Sequence, residues 1–183
     1  MGIKKFKFPI VIAIFISSII LGIILTNVFN SSNGSNISSS PPIDGIECGE
    51  MEQLGYHIHV HMDIFINGTH YSVPSLIGIT NNCYYWLHTH DSSGIIHVES
   101  PVTKNFTLEQ FFQIWKNKYN NSEIFNYIEN NTNAKLSLYI NGKITLNGTK
   151  FQDIVFNPHD EITLVVGKPP AVKPTKYDFM PRL

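Results

Sequence analysis

Seven of the eight histidines in this chain fall between residues 57 and 97, and five of the seven belong to two short stretches. The first reads Tyr56-His57-Ile58-His59-Val60-His61-Met62-Asp63. The second reads Trp86-Leu87-His88-Thr89-His90-Asp91, with His97 and Glu99 close behind. Imidazole is the commonest metal ligand in proteins, and it binds in its neutral form. Histidines gathered at this density therefore point to a metal site made of His57, His59, His61, His88, His90 and His97. Imidazole suits zinc and copper, whereas Cu(I) prefers sulfur ligands. Met62, beside His61, falls on the opposite, core face of its strand, so no methionine joins these imidazoles and the expected ion is Zn(II) or Cu(II). A histidine-plus-carboxylate set also permits iron.

The spacing explains how separate runs can build one site. Side chains of a strand alternate between its two faces. In the first run Ile58, Val60, Met62 and Ile64 share the core face, and His57, His59, His61 and Asp63 share the other. In the second run Trp86, His88 and His90 lie together. A four-residue turn at Asp91–Gly94 sets His90 opposite Ile95, His88 opposite His97 and Trp86 opposite Glu99. Directly opposed residues have Cβ atoms about 4.5–5.5 Å apart, close enough for two imidazoles to share an ion. If the two hairpins are neighbours in one sheet, their faces merge into a single imidazole-lined patch. Six imidazoles exceed the three or four ligands of one zinc site. Either there are two ions, or some histidines give hydrogen bonds to the ligands. Asp63, Asp91 and Glu99 suit the role of outer carboxylates that orient ligating rings. His70 and His159 belong to no run and read as ordinary half-buried polar residues. A rival use for clustered imidazoles is proton sensing, since they repel one another once charged.

The elements that must position these residues are readable in outline. Asn67-Gly68 separates His57–Ile66 from Thr69–Val73, and Asn141-Gly142 separates Leu136–Ile140 from Lys143–Leu146. Asn-Gly between extended runs marks a two-residue hairpin, because its turn needs positive φ at both central residues. A third hairpin is expected to join Tyr84–His90 to Ile95–Ser100, and Glu161–Val166 reads as one more strand. Thr107-Leu108-Glu109-Gln110 has the form of a capping box. Leu108, Phe111, Phe112, Trp115 and Tyr119 then recur on one helical face, as core packing requires. A short second helix is expected over Ser122–Glu129. The order of elements predicts an α+β fold: a mainly antiparallel sheet of hairpins with one clear amphipathic helix, following an N-terminal transmembrane helix.

That transmembrane helix is read from Phe8–Phe29, an almost wholly apolar run preceded by Lys4, Lys5 and Lys7. About twenty apolar residues span a hydrocarbon core of roughly 30 Å. The lysines keep the N-terminus cytoplasmic, so the rest of the chain is exported. A cleaved signal peptide is the rival reading. Such peptides have a shorter apolar region and a small-residue cleavage pattern, which is absent here. The chain thus divides into a cytoplasmic stub and transmembrane anchor (1–29), a Ser/Asn/Pro tether (30–43), a histidine-rich extracytoplasmic domain (44–167) and a Pro-containing tail (168–183) that is either a strap or loose. The expected location is the cell membrane, in a single pass, with the domain outside.

Net charge is −1 and Arg182 is the only arginine. Nucleic acid is not an expected partner, because phosphate binding needs a basic face. Eight Asn-x-Ser/Thr sequons, from Asn30 to Asn147, are compatible with glycosylation outside the cell, although Asn and Ser are abundant enough to produce them by chance. Outside the membrane the two cysteines, Cys48 and Cys83, are expected to pair as a disulfide. Closing a loop of about 36 residues stabilises a fold by roughly 3–4 kcal/mol in the chain-entropy model. The alternative is thiolate ligation of the nearby metal.

Taken together, these motifs look familiar. Cys48 and Glu52, the His57–His61 run, Ile66-Asn67-Gly68, the stretch Cys83 to Asp91, and Gly94 through Pro101 resemble a family of uncharacterised exported or membrane-anchored proteins of bacteria and archaea. That family carries HxHxH and WLHTHDxxGxIHxESP motifs. The likeness covers about residues 44–167 and implies export and a shared histidine site, but no particular reaction. His88-Thr89-His90-Asp91 also partly resembles the metallo-β-lactamase pattern His-x-His-x-Asp-His. Its aspartate comes one residue early and its second histidine is missing. Three functions follow from the residues: a metal-binding protein; a metalloenzyme whose ion activates water for hydration or hydrolysis; or a surface interaction module with a structural metal. Three histidines with a free position favour the enzyme, and a closed shell favours holding, delivery or structure.

Overall fold

A computed structural model describes residues 40–120, 123–130, 136–145, 150–171 and 176–180. The expected anchor and nearly all of the tether lie outside these residues. Among the described residues no helix is long and apolar enough to cross a membrane.

Among the described residues, nine strands and two α-helices follow in the order β1 (Cys48–Gly49), β2 (Tyr56–Ile66), β3 (Thr69–Tyr71), β4 (Tyr84–Tyr85), β5 (Leu87–His88), β6 (Ile95–Ser100), α1 (Leu108–Lys118), α2 (Glu123–Asn130), β7 (Leu136–Ile140), β8 (Lys143–Ile144) and β9 (Glu161–Val166), with a 3₁₀ turn at Phe151–Asp153. The main sheet runs β5-β6-β2-β9-β7-β8, with β3 paired to the far end of β2. Its pairings are antiparallel except β2 with β9, which is parallel. This is the expected α+β class with a mainly antiparallel sheet. The parallel pair needs a long crossover, and α1 and α2 lie within it.

The local signals act as their chemistry requires. Both Asn-Gly pairs adopt positive φ (50° and 88°, 51° and 74°) and close two-residue hairpins. Thr107 caps α1 with a reciprocal capping box through Gln110. The second helix is present over Glu123–Asn130, and its expected first residue, Ser122, lies outside the described residues. One expectation is corrected. Tyr84–His90 is not one strand: Tyr84–Tyr85 pairs with β1 in a separate two-stranded ladder, and Leu87–His88 pairs with β6. The Cys48–Cys83 disulfide sits beside that small ladder. The cysteines are therefore not thiolate ligands.

The core lies on one face of the sheet. Val60, Met62, Ile64, Leu87, Ile96 and Val98 are buried there together with Leu108, Phe111 and Trp115 of α1. Each such side chain contributes roughly 1.5–3 kcal/mol by leaving water. Because strands alternate, the same packing forces the intervening residues of β2, β5 and β6 to the opposite face, which is where the histidines stand. The described part of the tail returns across that face as a strap. Tyr177 stacks on His61 and Phe179 stacks on His159.

Candidate metal centre

Three neighbouring strands build the centre. β2 pairs with β6 so that His59 opposes His97, and β6 pairs with β5 so that His97 opposes His88. Cross-strand partners share a face and lie within about 5 Å. His59, His97 and His88 therefore form a row across the sheet. Two residues along, His57 opposes Glu99. His90 stands two residues beyond His88, with its ring 4.4 Å from that of His97.

The donor atoms converge. His57 Nε2 lies 3.0 Å from His59 Nε2, and His59 Nε2 lies 3.1 Å from His97 Nδ1. His88 Nε2 lies 3.3 Å from His90 Nε2. Glu99 Oε1 lies 3.1 Å from His57 Nε2 and 3.3 Å from His97 Nδ1, and Glu99 Oε2 lies 4.0 Å from His88 Nε2. Tetrahedral bonds of about 2.0–2.1 Å give ligand–ligand edges of about 3.3 Å, so these spacings suit a bound cation. Two sets of donors each fall within 4.8 Å of one another: His57, His59 and His97, and His88, His90, His97 and Glu99.

Electrostatics favour the same reading. Burial, followed by the positive fields of His97 and His57, pushes the His59 pKa down to about 4. Burial does the same to His88, also to about 4, against the opposing pull of the Tyr85 carbonyl and Glu99. Both rings are neutral near pH 7, the form that binds metal. His88 Nδ1 donates to the Tyr85 carbonyl at 2.9 Å, which turns Nε2 toward the cluster. This backbone partner orients the ring as outer hydrogen bonds orient metal ligands elsewhere. Burial raises the pKa of Glu99, but the His97 hydrogen bond and the His88, His57 and His97 fields outweigh it, leaving the carboxyl below its ordinary value. An anion, Glu99, itself only 2 % exposed, is thus held among imidazoles.

Not every sequence candidate joins the centre. His61 shares the face but belongs to neither set of donors. Its Nδ1 lies 3.1 Å from Glu161 Oε2 and its Nε2 lies 3.1 Å from the Ser93 carbonyl. Its cross-strand partner is Ile95, an apolar residue that offers no ligand atom. Asp63 pairs with His70 at 3.2 Å, away from the cluster. Asp91 accepts from the Ser93 N–H at 2.9 Å and fixes the turn, and the Ser93 bonds lower its pKa. Of the three carboxylates expected at the margin, Glu99 instead stands inside the donor set.

Sequence reasoning missed two further carboxylates. Glu52 Oε1 lies 3.3 Å from His90 Nε2, and Glu161 holds His61. Glu52 sits in an aperiodic loop after Cys48, and Glu161 meets His61 only through the parallel β2–β9 pairing. Glu52 is among the residues that carry the family resemblance, but neither its spacing nor any periodicity places it beside His90. The chain matches no protein-family model, and neither curated proteins nor solved structures gave a match.

Proposed function

We propose that this chain is a membrane-anchored, extracytoplasmic metal-binding protein that holds Zn(II) or Cu(II) on its histidine face. The observation that carries this is the gathering of five imidazoles and Glu99 from three adjacent strands into sets of ligand atoms within 4.8 Å. Packing alone gives no reason to set imidazoles 3.0–3.3 Å apart around a carboxylate. The apolar Phe8–Phe29 run supports the anchor. The Cys48–Cys83 disulfide suits an oxidising compartment outside the cytoplasm. The set containing Glu99 offers four donors, a number that closes a zinc shell, and this favours holding or delivering the ion.

A metalloenzyme is the second reading. The side chains of His57 and His90 are 35 % and 42 % exposed, so water reaches both ends of the cluster. A metal-bound water there would have its pKa lowered to about 7.

Elemental analysis of the purified full-length chain, with His59→Ala and His90→Ala variants, tests the proposal. Stoichiometric zinc or copper that falls in the variants is the expected result. Equal traces in all three samples would end it. Carbon dioxide hydration and ester hydrolysis by the loaded protein separate the two readings. Activity lost in His90→Ala favours the enzyme, and inactivity in both assays favours the binding protein.

A further inference from the structure

We infer that the histidine face holds two cations side by side, joined by His97 and Glu99. This rests on the metal-binding reading above and adds the number of ions and the residues that link them.

His57 and His59 serve only the first donor set, and both lie on β2. His88 and His90 serve only the second, and lie on or just beyond β5. His97, on the strand between them, belongs to both. Five imidazoles and a carboxylate exceed the four donors of an ordinary zinc shell. No set of mutually close donors contains both His57 and His90. A single ion would leave one end of the cluster as bare, crowded imidazoles.

Glu99 supplies the second observation. Its Oε1 faces His57 and His97 at 3.1 and 3.3 Å. Its Oε2 is buried and makes no hydrogen bond among the described residues, and it stands 4.0 Å from His88 Nε2. A buried carboxylate oxygen without a partner is costly. That separation is too long for a hydrogen bond; it exceeds a tetrahedral edge of about 3.3 Å and fits two ligands on opposite sides of a tetragonal ion such as Cu(II), each bonded at about 2.0 Å. A cation between Oε2 and His88 satisfies the orphan atom, while Oε1 faces the other set. Imidazole and carboxylate each carry two donor atoms, so His97 and Glu99 can each serve two ions at once. On bridging, His97 gives up its N–H proton to solvent, in line with the proton release that accompanies metal binding. Glu52, beside His90, adds negative charge at the second end.

The full-length chain is titrated with Cu(II), and bound metal is read by elemental analysis and by electron paramagnetic resonance. The wild type is expected to bind about two equivalents, each ion having its own shell of about four donors, and to give the spectrum of a magnetically coupled pair. His57→Ala and His90→Ala, both at solvent-facing positions, should each retain about one equivalent and show an isolated Cu(II) spectrum. Glu99→Gln should weaken both sites by at least the roughly 10–100-fold that losing an outer carboxylate typically costs. One equivalent in the wild type, or complete loss of metal in both His57→Ala and His90→Ala, overturns the paired-ion inference and leaves a single-metal site standing. No binding at all overturns this inference and the metal-binding reading together.

Discussion

His59 and His88 are the residues whose surroundings most change their chemistry. Each has a folded pKa near 4 against an ordinary 6.5. Above pH 6.5 both the folded and unfolded states hold them neutral, so they cost nothing. As pH falls from 6.5 toward 4 the unfolded chain takes up protons that the folded domain refuses, and stability is lost. Below 4 both states are protonated and the loss levels off. Denaturant unfolding of the metal-free protein between pH 4 and 7 should show this decline, and His88→Ala should flatten part of it. A metal-free protein equally stable at pH 5 and pH 7 would contradict the assignment. His61 provides the contrast within the same run. Alternation placed it on the same face as His57 and His59. Whether it could ligate depended on Glu161, one hundred residues away, and on Ile95 opposite it. His61→Ala should therefore leave metal content unchanged while loosening the Tyr177 strap, which proteolysis of the tail can follow. Glu99 was legible as a nearby carboxylate, but its central position follows from the β2–β6 register, which no local rule fixes.

At the level of elements, the turns and caps were the most legible part. Positive φ at Asn-Gly and the Thr107 capping box are local chemistry, and the structure contains both. Thr107→Ala should cost about 1 kcal/mol of stability, the usual worth of a lost N-cap. It should leave metal stoichiometry intact, because α1 packs on the face opposite the histidines. Gly94 shows the reverse coupling. Its φ is +89°, and a Cβ there would lie 2.6 Å from the Met62 carbonyl and 3.0 Å from His61 Nε2. Gly94→Ala should therefore disturb the turn that joins β5 to β6 and lower both stability and metal affinity, read by thermal unfolding and chelator competition. What sequence could not show was how the hairpins sit together. The parallel β2–β9 pairing and the division of Tyr84–His90 between two ladders depend on long-range packing, not on any residue in those segments.

For the molecule as a whole, the arrangement separates stability from function by face. The apolar side of the sheet carries the core with α1 and α2, and the other side carries the imidazoles, with a C-terminal strap over His61 and His159. A bound ion stabilises the folded state in proportion to its affinity and concentration. Removing it with a chelator should lower the melting temperature without unfolding the domain at room temperature, since the core and the Cys48–Cys83 disulfide persist. Unfolding on chelation would instead identify the metal as the main support of the fold, as in small zinc modules. The most direct measurement is anomalous diffraction at the zinc or copper edge from crystals of the metal-loaded protein. The account predicts anomalous density between β2, β6 and β5, within bonding distance of His97 and of histidines from both flanking strands. Density confined to His61 and Glu161, or none on the histidine face, would contradict it.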